Sequence, residues 1–172
     1  MSTEYLRWKK LFLFGLGLAM ASVFCMKWME GDLYAANEKF TILGLELFYP
    51  AKKITFIFSE IDAHVKTILR YHLVFDFAFM AGIFPGIASL CMMARANKSS
   101  RVIKNILFIA ACLQLFAWGL DVFENYSLLK WIDQPQIGRE ISIFHLAVIS
   151  KWVIALSGAL FSISLLLFQK KK

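Results

Sequence analysis

Charge is scarce in this sequence: 18% of its 172 residues are Asp, Glu, Lys or Arg, against about 25% in a soluble domain. Thiol and imidazole are scarce too, with three cysteines and three histidines. Cys25, Cys91 and Cys112 are odd in number, lie in apolar segments and lack metal-ligand spacing. That argues against a disulfide framework or a cysteine zinc site, and the three read as small core hydrophobes. There is no Gly-x-Ser-x-Gly elbow, no His-Glu-x-x-His helix and no cofactor or nucleotide motif, which removes the usual marks of a hydrolase or metalloprotease. Ser150, Ser157, Ser162 and Ser164 fall in the last apolar run, where serines bond back to their own helix or pack as small residues. No internal repeat or low-complexity segment is present.

What the chain does have is apolar surface: 59% hydrophobic and 16% aromatic residues, with a mean hydropathy of +0.63. At roughly 20 apolar residues per crossing of a ~30 Å hydrocarbon core, about half of the chain supplies four spans and no second domain fits. The runs are about 11–29, 71–94, 102–123 and 141–168. Ala19-Met20-Ala21 makes a cleaved signal peptide a rival for the first run, but the run continues to Cys25 and Met26, which favours a span. The expected fold is all-α, an integral membrane, up-down four-transmembrane-helix bundle over 1–172. It carries an external segment at 30–70 and a cytoplasmic loop at 95–101.

The net charge of +7 is a topology signal. Arg7, Lys9, Lys10, Arg95, Lys98, Arg101, Lys104, Lys170, Lys171 and Lys172 fall on the side of the termini, opposed only by Glu4. The other side is balanced, and a surplus of two negative charges lies within the spans. The positive-inside rule puts both termini in the cytoplasm, with a cell membrane as the location and the bacterial inner membrane the leading choice. Nucleic acid is not an expected partner, because the basic residues mark an orientation and not a stripe on one face. The lipid bilayer is, with a homo-oligomer or a partner membrane subunit as further possibilities.

Within the external segment Ile54, Ile57, Phe58, Ile61, Val65, Ile68 and Leu69 recur at helical spacing, with Lys53, Glu60, Lys66 and Arg70 on other faces. This predicts one amphipathic helix that lies on the membrane or caps the bundle. Phe40 to Pro50 reads as a short buried or re-entrant element, and His64 as water-facing.

Asp76, Asp121, Glu124 and Lys151 lie inside the spans, where a charge at the bilayer centre costs about 2.5–3.5 kcal/mol and calls for a partner. Gln114, Ala117, Asp121 and Glu124/Asn125 form one stripe on the third span; Ala147, Lys151, Ala155, Gly158 and Ser162 form another on the fourth. Small residues in register bring such stripes onto neighbouring helices. At 1.5 Å per residue Asp76 and Asp121 sit roughly 8 Å below the outer boundary and Lys151 about 15 Å, within reach of its stem. His72 and His145 would crown the same level. Three carboxylates against one lysine need a further proton, a charged histidine, Arg70 reaching down or a bound cation.

No cofactor is predicted. His72, Asp76, Asp121, Glu124 and His145 are a ligand mixture for zinc, iron or manganese, and His72 with His145 a formal axial pair for haem, but no spacing singles out a metal or haem. Gly82-Ile83-Phe84-Pro85-Gly86 in the second span offers a close-packing seam. Pro85 frees the Ala81 carbonyl and is expected to kink the helix, with a hinge as the sharper reading.

Phe75-Asp76-Phe77-Ala78-Phe79 and Leu120-Asp121-Val122-Phe123-Glu124-Asn125 resemble a group of small, mostly bacterial four-span membrane proteins. These pair Asp-x-x-Phe in the second span with Leu-Asp-x-x-Glu-Asn in the third. The resemblance covers about a third of the chain and implies a four-helix bundle with an acidic intramembrane cluster; it implies no activity. Claudin-like proteins are a poorer comparison, because their Trp-Gly-Leu-Trp-Cys-Cys signature is missing. Gln169-Lys170-Lys171-Lys172 also departs from a dilysine retrieval signal.

Function is therefore expected from the charged cluster. The leading reading is a non-enzymatic membrane protein whose outer-leaflet pocket holds a polar or cationic ligand, a proton or a partner subunit. The alternatives are a small metal-dependent or acid/base intramembrane enzyme acting on a lipid, and a structural subunit whose charges set helix register.

Overall fold

The computed structural model describes residues 3–138 and 140–168; Arg139 and the 169–172 tail, with its three lysines, lie outside the described residues. Five α-helices, α1 (Thr3–Met29), α2 (Ala51–Glu60), α3 (Ala63–Ala96), α4 (Arg101–Asp133) and α5 (Glu140–Leu167), account for most of the chain. Four of them, α1, α3, α4 and α5, are long and apolar enough to cross a membrane. Their outward faces carry large apolar side chains, among them Phe14, Phe24, Leu115 and Leu160.

The expected amphipathic helix is two helices. Ile61 and Asp62 are extended, and the Asp62 carboxylate accepts the backbone N–H of Val65 at 2.8 Å, starting a new helix. An aspartate followed by an apolar periodic run is an N-cap signature, and here it outweighs the unbroken periodicity. The second half then runs straight into the expected second span, giving a 34-residue helix. Inward positions are as read: Ile54, Ile57, Phe58, Ile61, Val65 and Leu69 are buried and Ile68 packs beside them, while His64 is exposed.

These residues cap one end of the helix group, against Leu128, Trp131, Ile132, Phe144 and Val148. Trp131 anchors the contact, its ring 6.1 Å from Phe58 and 4.8 Å from Phe144, and its indole N–H donates to Glu140 at 2.9 Å. Between α1 and α2 lie a 3₁₀ turn (Glu30–Asp32) and a two-residue hairpin pairing β1 (Tyr34–Ala35) with β2 (Glu38–Lys39). Its turn residues Ala36 and Asn37 have positive φ, the conformation of a type I′ hairpin turn. Alanine at the first of these positions hides the hairpin from a search for Asn-Gly or Asp-Gly.

Phe40 to Pro50 is a partly buried element of the cap, with Phe40, Ile42, Gly44 and Leu45 turned inward and Leu43, Leu47 and Phe48 exposed. It contains a π-helical turn, Gly44–Phe48, closed by the Tyr49 N–H donating to the Gly44 carbonyl at 2.7 Å. Tyr49 is extended, as suits a residue before proline, and Pro50 caps α2. A Cβ on Gly44 would fall within the Tyr49 ring, so the turn is built around the absence of a side chain there.

The long helices are unevenly packed. α1 lies along α3 and has no extensive contact with α4 or α5, whereas α3, α4 and α5 pack on one another. The α1–α3 seam is backbone on backbone: a Cβ on Gly15 would stand 2.5 Å from the Gly82 carbonyl oxygen, and one on Gly82 would stand 2.6 Å from the Gly15 oxygen and 2.8 Å from the Ala19 nitrogen. Gly82 and Gly86 thus meet Gly15-x-x-x-Ala19, which identifies the partner of the seam read in the sequence. α3 remains helical through Pro85, whose carbonyl accepts the Ser89 hydroxyl at 2.7 Å.

Cysteine and serine placement differs in part from expectation. Cys91 is buried, but Cys25 is half-buried and Cys112 exposed, because an outward position on an apolar helix also suits a small hydrophobe. Ser157 and Ser164 bond back to their own helix, while Ser162 donates across to the Cys91 sulfur at 3.0 Å.

Gly82→Ala should destabilise the protein by about 1–3 kcal/mol through overpacking against backbone that cannot turn aside. Gly119→Ala, with nothing near its new methyl, should be neutral or slightly stabilising. Thermal unfolding of the two variants in detergent checks the contrast.

Candidate functional site

The stripe on α4 is buried throughout, at Gln114, Ala117, Asp121, Glu124 and Asn125. Across from it on α5, Lys151 is also buried, and its ammonium lies 2.5 Å from Asp121 Oδ1 and 2.5 Å from Glu124 Oε2. Asp121 and Glu124 are three residues apart, one helical turn, which aims both carboxylates at one point. An ammonium has three donors and no acceptor, so two carboxylates leave it well matched. Asp76 of α3 stands beside them and accepts the Asn125 side-chain N–H at 2.5 Å.

A fourth carboxylate comes from outside the long helices. Glu46, in the π turn of the cap, points into the cluster, beside Glu124, Trp152 and the Lys151–Asp121 pair. Burial pushes the Glu46 carboxyl up, Asp121 adds to the rise, and Lys151 opposes it. Two carboxyl groups side by side in a buried site do not both ionise, so Glu46 and Glu124 hold a proton between them. That proton belongs to the pair. It also accounts for Glu46 Oε2 and Glu124 Oε1 being buried with no nitrogen or hydroxyl donor.

The sequence reading counted Glu46 as external, so the imbalance about Lys151 is three negative charges where it expected two. A signal was present. Glu46 is the only charged residue between Lys39 and Lys52, and an isolated charge in an apolar stretch deserves the scrutiny given to charges inside spans.

The cluster opens onto a cavity of about 210 Å³. α1 contributes Val23, Met26 and Lys27, α3 contributes His72, Asp76, Phe79, Ile83 and Phe84, and α5 contributes Lys151, Trp152 and Ala155. Asp121 forms part of the floor, and Glu30, Ile42, Leu43 and Glu46 close the capped end. The α3 residues His72, Asp76, Phe79 and Ile83 follow steps of four, three and four, one face of a helix. The cavity exists because α1 turns to α3 and leaves α5 uncovered on that side.

His72 is 3% exposed, and neither ring nitrogen has a hydrogen-bond partner. Its Nε2 lies 3.9 Å from Glu30, which is itself bonded to Lys27 at 2.6 Å. Glu30, Lys27 and Trp152 are site residues that sequence reasoning missed: Lys27 and Glu30 sit where the first span meets its boundary, and Trp152 is one aromatic residue among many inside the fourth.

Several expected members lie elsewhere. His145 does not line the cavity; it is half-buried beside Phe144, so it does not join His72 in crowning the site. Its position on α5 turns it to a different side from Lys151. Gln114 also lies outside the cavity and ties α4 to α5 through the Ile154 carbonyl at 3.3 Å, directly over Gly158. Arg70 does not reach down, because it pairs with Asp133 at the exposed rim. Gly82 and Gly86 serve the α1–α3 seam. Among the described residues no group of three or more His, Cys, Asp or Glu side chains is arranged to hold a metal ion.

No protein-family model, curated protein or solved structure matches the chain.

Two predictions follow from the geometry. Lys151→Met strands Asp121 and Glu124 and should cost about 3–5 kcal/mol, whereas Lys151→Met with Asp121→Leu should cost less than the single change; equilibrium unfolding in detergent compares them. The second concerns pH. With its carboxyl raised, Glu46 contributes stability that is complete below the ordinary carboxylate range and is lost as pH climbs through the raised value. The thermal midpoint of Glu46→Gln should therefore fall less than that of the wild type as pH rises above that range.

Proposed function

We propose that the protein is a multi-pass membrane protein, an up-down four-helix bundle with both termini in the cytoplasm, whose cavity binds a positively charged ligand. Four long apolar helices with apolar outward faces support the bilayer setting. Antiparallel neighbours are supported by Arg95 meeting Glu4, Arg70 meeting Asp133, and Lys130 meeting Glu140. The surplus of Lys and Arg beside the termini and the 97–100 turn favours the cytoplasmic orientation.

The observation that carries the ligand reading is an open cavity whose polar wall holds more carboxyl groups than it can neutralise. Lys151 offsets one carboxylate and the proton between Glu46 and Glu124 offsets a second, so two negative charges remain beside the cavity. Lys151 with Asp121 and Glu124 forms the bonded base of the site. Asp76, Glu46 and His72 form its receiving face. A cation there replaces lost hydration with fixed acceptors, and the apolar remainder of the wall strengthens the attraction by excluding water.

Ethylammonium chloride should raise the thermal midpoint of the detergent-purified protein above that in sodium chloride of equal ionic strength, as a ligand that binds only the folded state does. Asp76→Asn should remove the difference. Equal midpoints in the two salts for the wild type would overturn the reading.

A further inference from the structure

We infer that the cavity is the headgroup end of a lipid site, and that its ligand is a membrane lipid with a primary ammonium whose chain lies along α5. This rests on the cation reading of the cavity and extends it to a substrate class. A second, wholly apolar groove of about 370 Å³ runs between the π turn and α5, walled by Leu47, Phe48, Ile149 and Leu156 among others. Leu43 and Trp152 line both spaces. The two are therefore neighbours across a pair of side chains, one end charged and the other free of polar surface. That is the polarity profile of an amphiphile.

The headgroup follows from counting bonds. A primary ammonium brings three N–H donors. With Glu30 bonded to Lys27, the cavity offers three acceptor groups not committed to a lysine: the carboxylate of Asp76, the carboxyl of Glu46, and a nitrogen of the buried, unpartnered His72. A trimethylammonium would satisfy the charge but bring no N–H donor to these acceptors, which is costly in a buried site. A small free amine would leave the groove unused.

The route follows from packing. α1 stays on α3 and does not close against α5, so in the proposed bilayer the cavity is reached sideways between these helices, where lipid already stands. The π turn covers the capped end, with Leu47 and Phe48 exposed beside the groove. Its Glu46 enters the charged end, so one short element shapes both halves of the site.

The test uses the full chain in phosphatidylcholine nanodiscs, with a fifth of the lipid replaced by phosphatidylethanolamine or by phosphatidylglycerol, and reads the thermal midpoint. Phosphatidylethanolamine should raise it by about 5 °C and phosphatidylglycerol should not. Leu156→Trp fills the groove from an exposed position and should abolish the rise while keeping the response to ethylammonium; Asp76→Asn should abolish both. Ethylammonium stabilisation without a phosphatidylethanolamine effect would overturn the lipid inference and leave the cation site standing, whereas loss of both responses in the wild type would overturn the two together. A phosphatidylethanolamine effect that survives in both variants would be a property of the bilayer and would equally overturn the inference.

Discussion

A lysine ammonium buried between two carboxylates is the constraint around which this molecule is arranged. Lys151 cannot leave Asp121 and Glu124 without stranding charges in a poorly solvated interior, so α4 and α5 are fixed in rotation and height relative to each other. Gln114 and Gly158 repeat the constraint lower down, where an amide sits on the space a side chain would fill. With these two helices locked, α3 adds Asp76 through Asn125. Glu46 then brings the cap to the same point.

The glycine seam has the opposite character. It contains no charge and no strong bond, only two backbones close enough that a methyl group would not fit. Close approach of this kind holds α1 firmly to α3, while α1 makes no extensive contact with α4 or α5. The cavity is a consequence of that arrangement, because a fourth helix packed symmetrically into the group would have filled it. A strong pair locking two helices and a separate seam drawing the first helix aside together leave a space with a charged wall.

Most of the fold was legible in the sequence. Four apolar runs, their approximate limits, the buried face of the external segment and the two polar stripes all follow from composition and helical period, which are local properties. The errors were local as well. A single N-capping aspartate, Asp62, split a helix that periodicity had joined, and an Ala-Asn turn concealed a hairpin. Of the site, Asp76, Asp121 and Lys151 could be brought to one level from rise per residue and the reach of the lysine stem, with His72 one turn outward and Glu124 and Asn125 on the same stripe as Asp121. His145 could not, since being at the right depth does not fix which way a helix faces.

By itself, the sequence determined that charged groups lie within apolar helices and must find partners, because residue type and hydropathy are sufficient to make an isolated charge costly. Only the tertiary structure decided which partners they find. Glu46 is far from Lys151 along the chain, and no period relates a π turn in the cap to a stripe on α5; the chain has to fold before the turn can reach inward. The cavity is also a tertiary property. It depends on what α1 does not touch, and a sequence records the surfaces a helix presents without recording the space left between them.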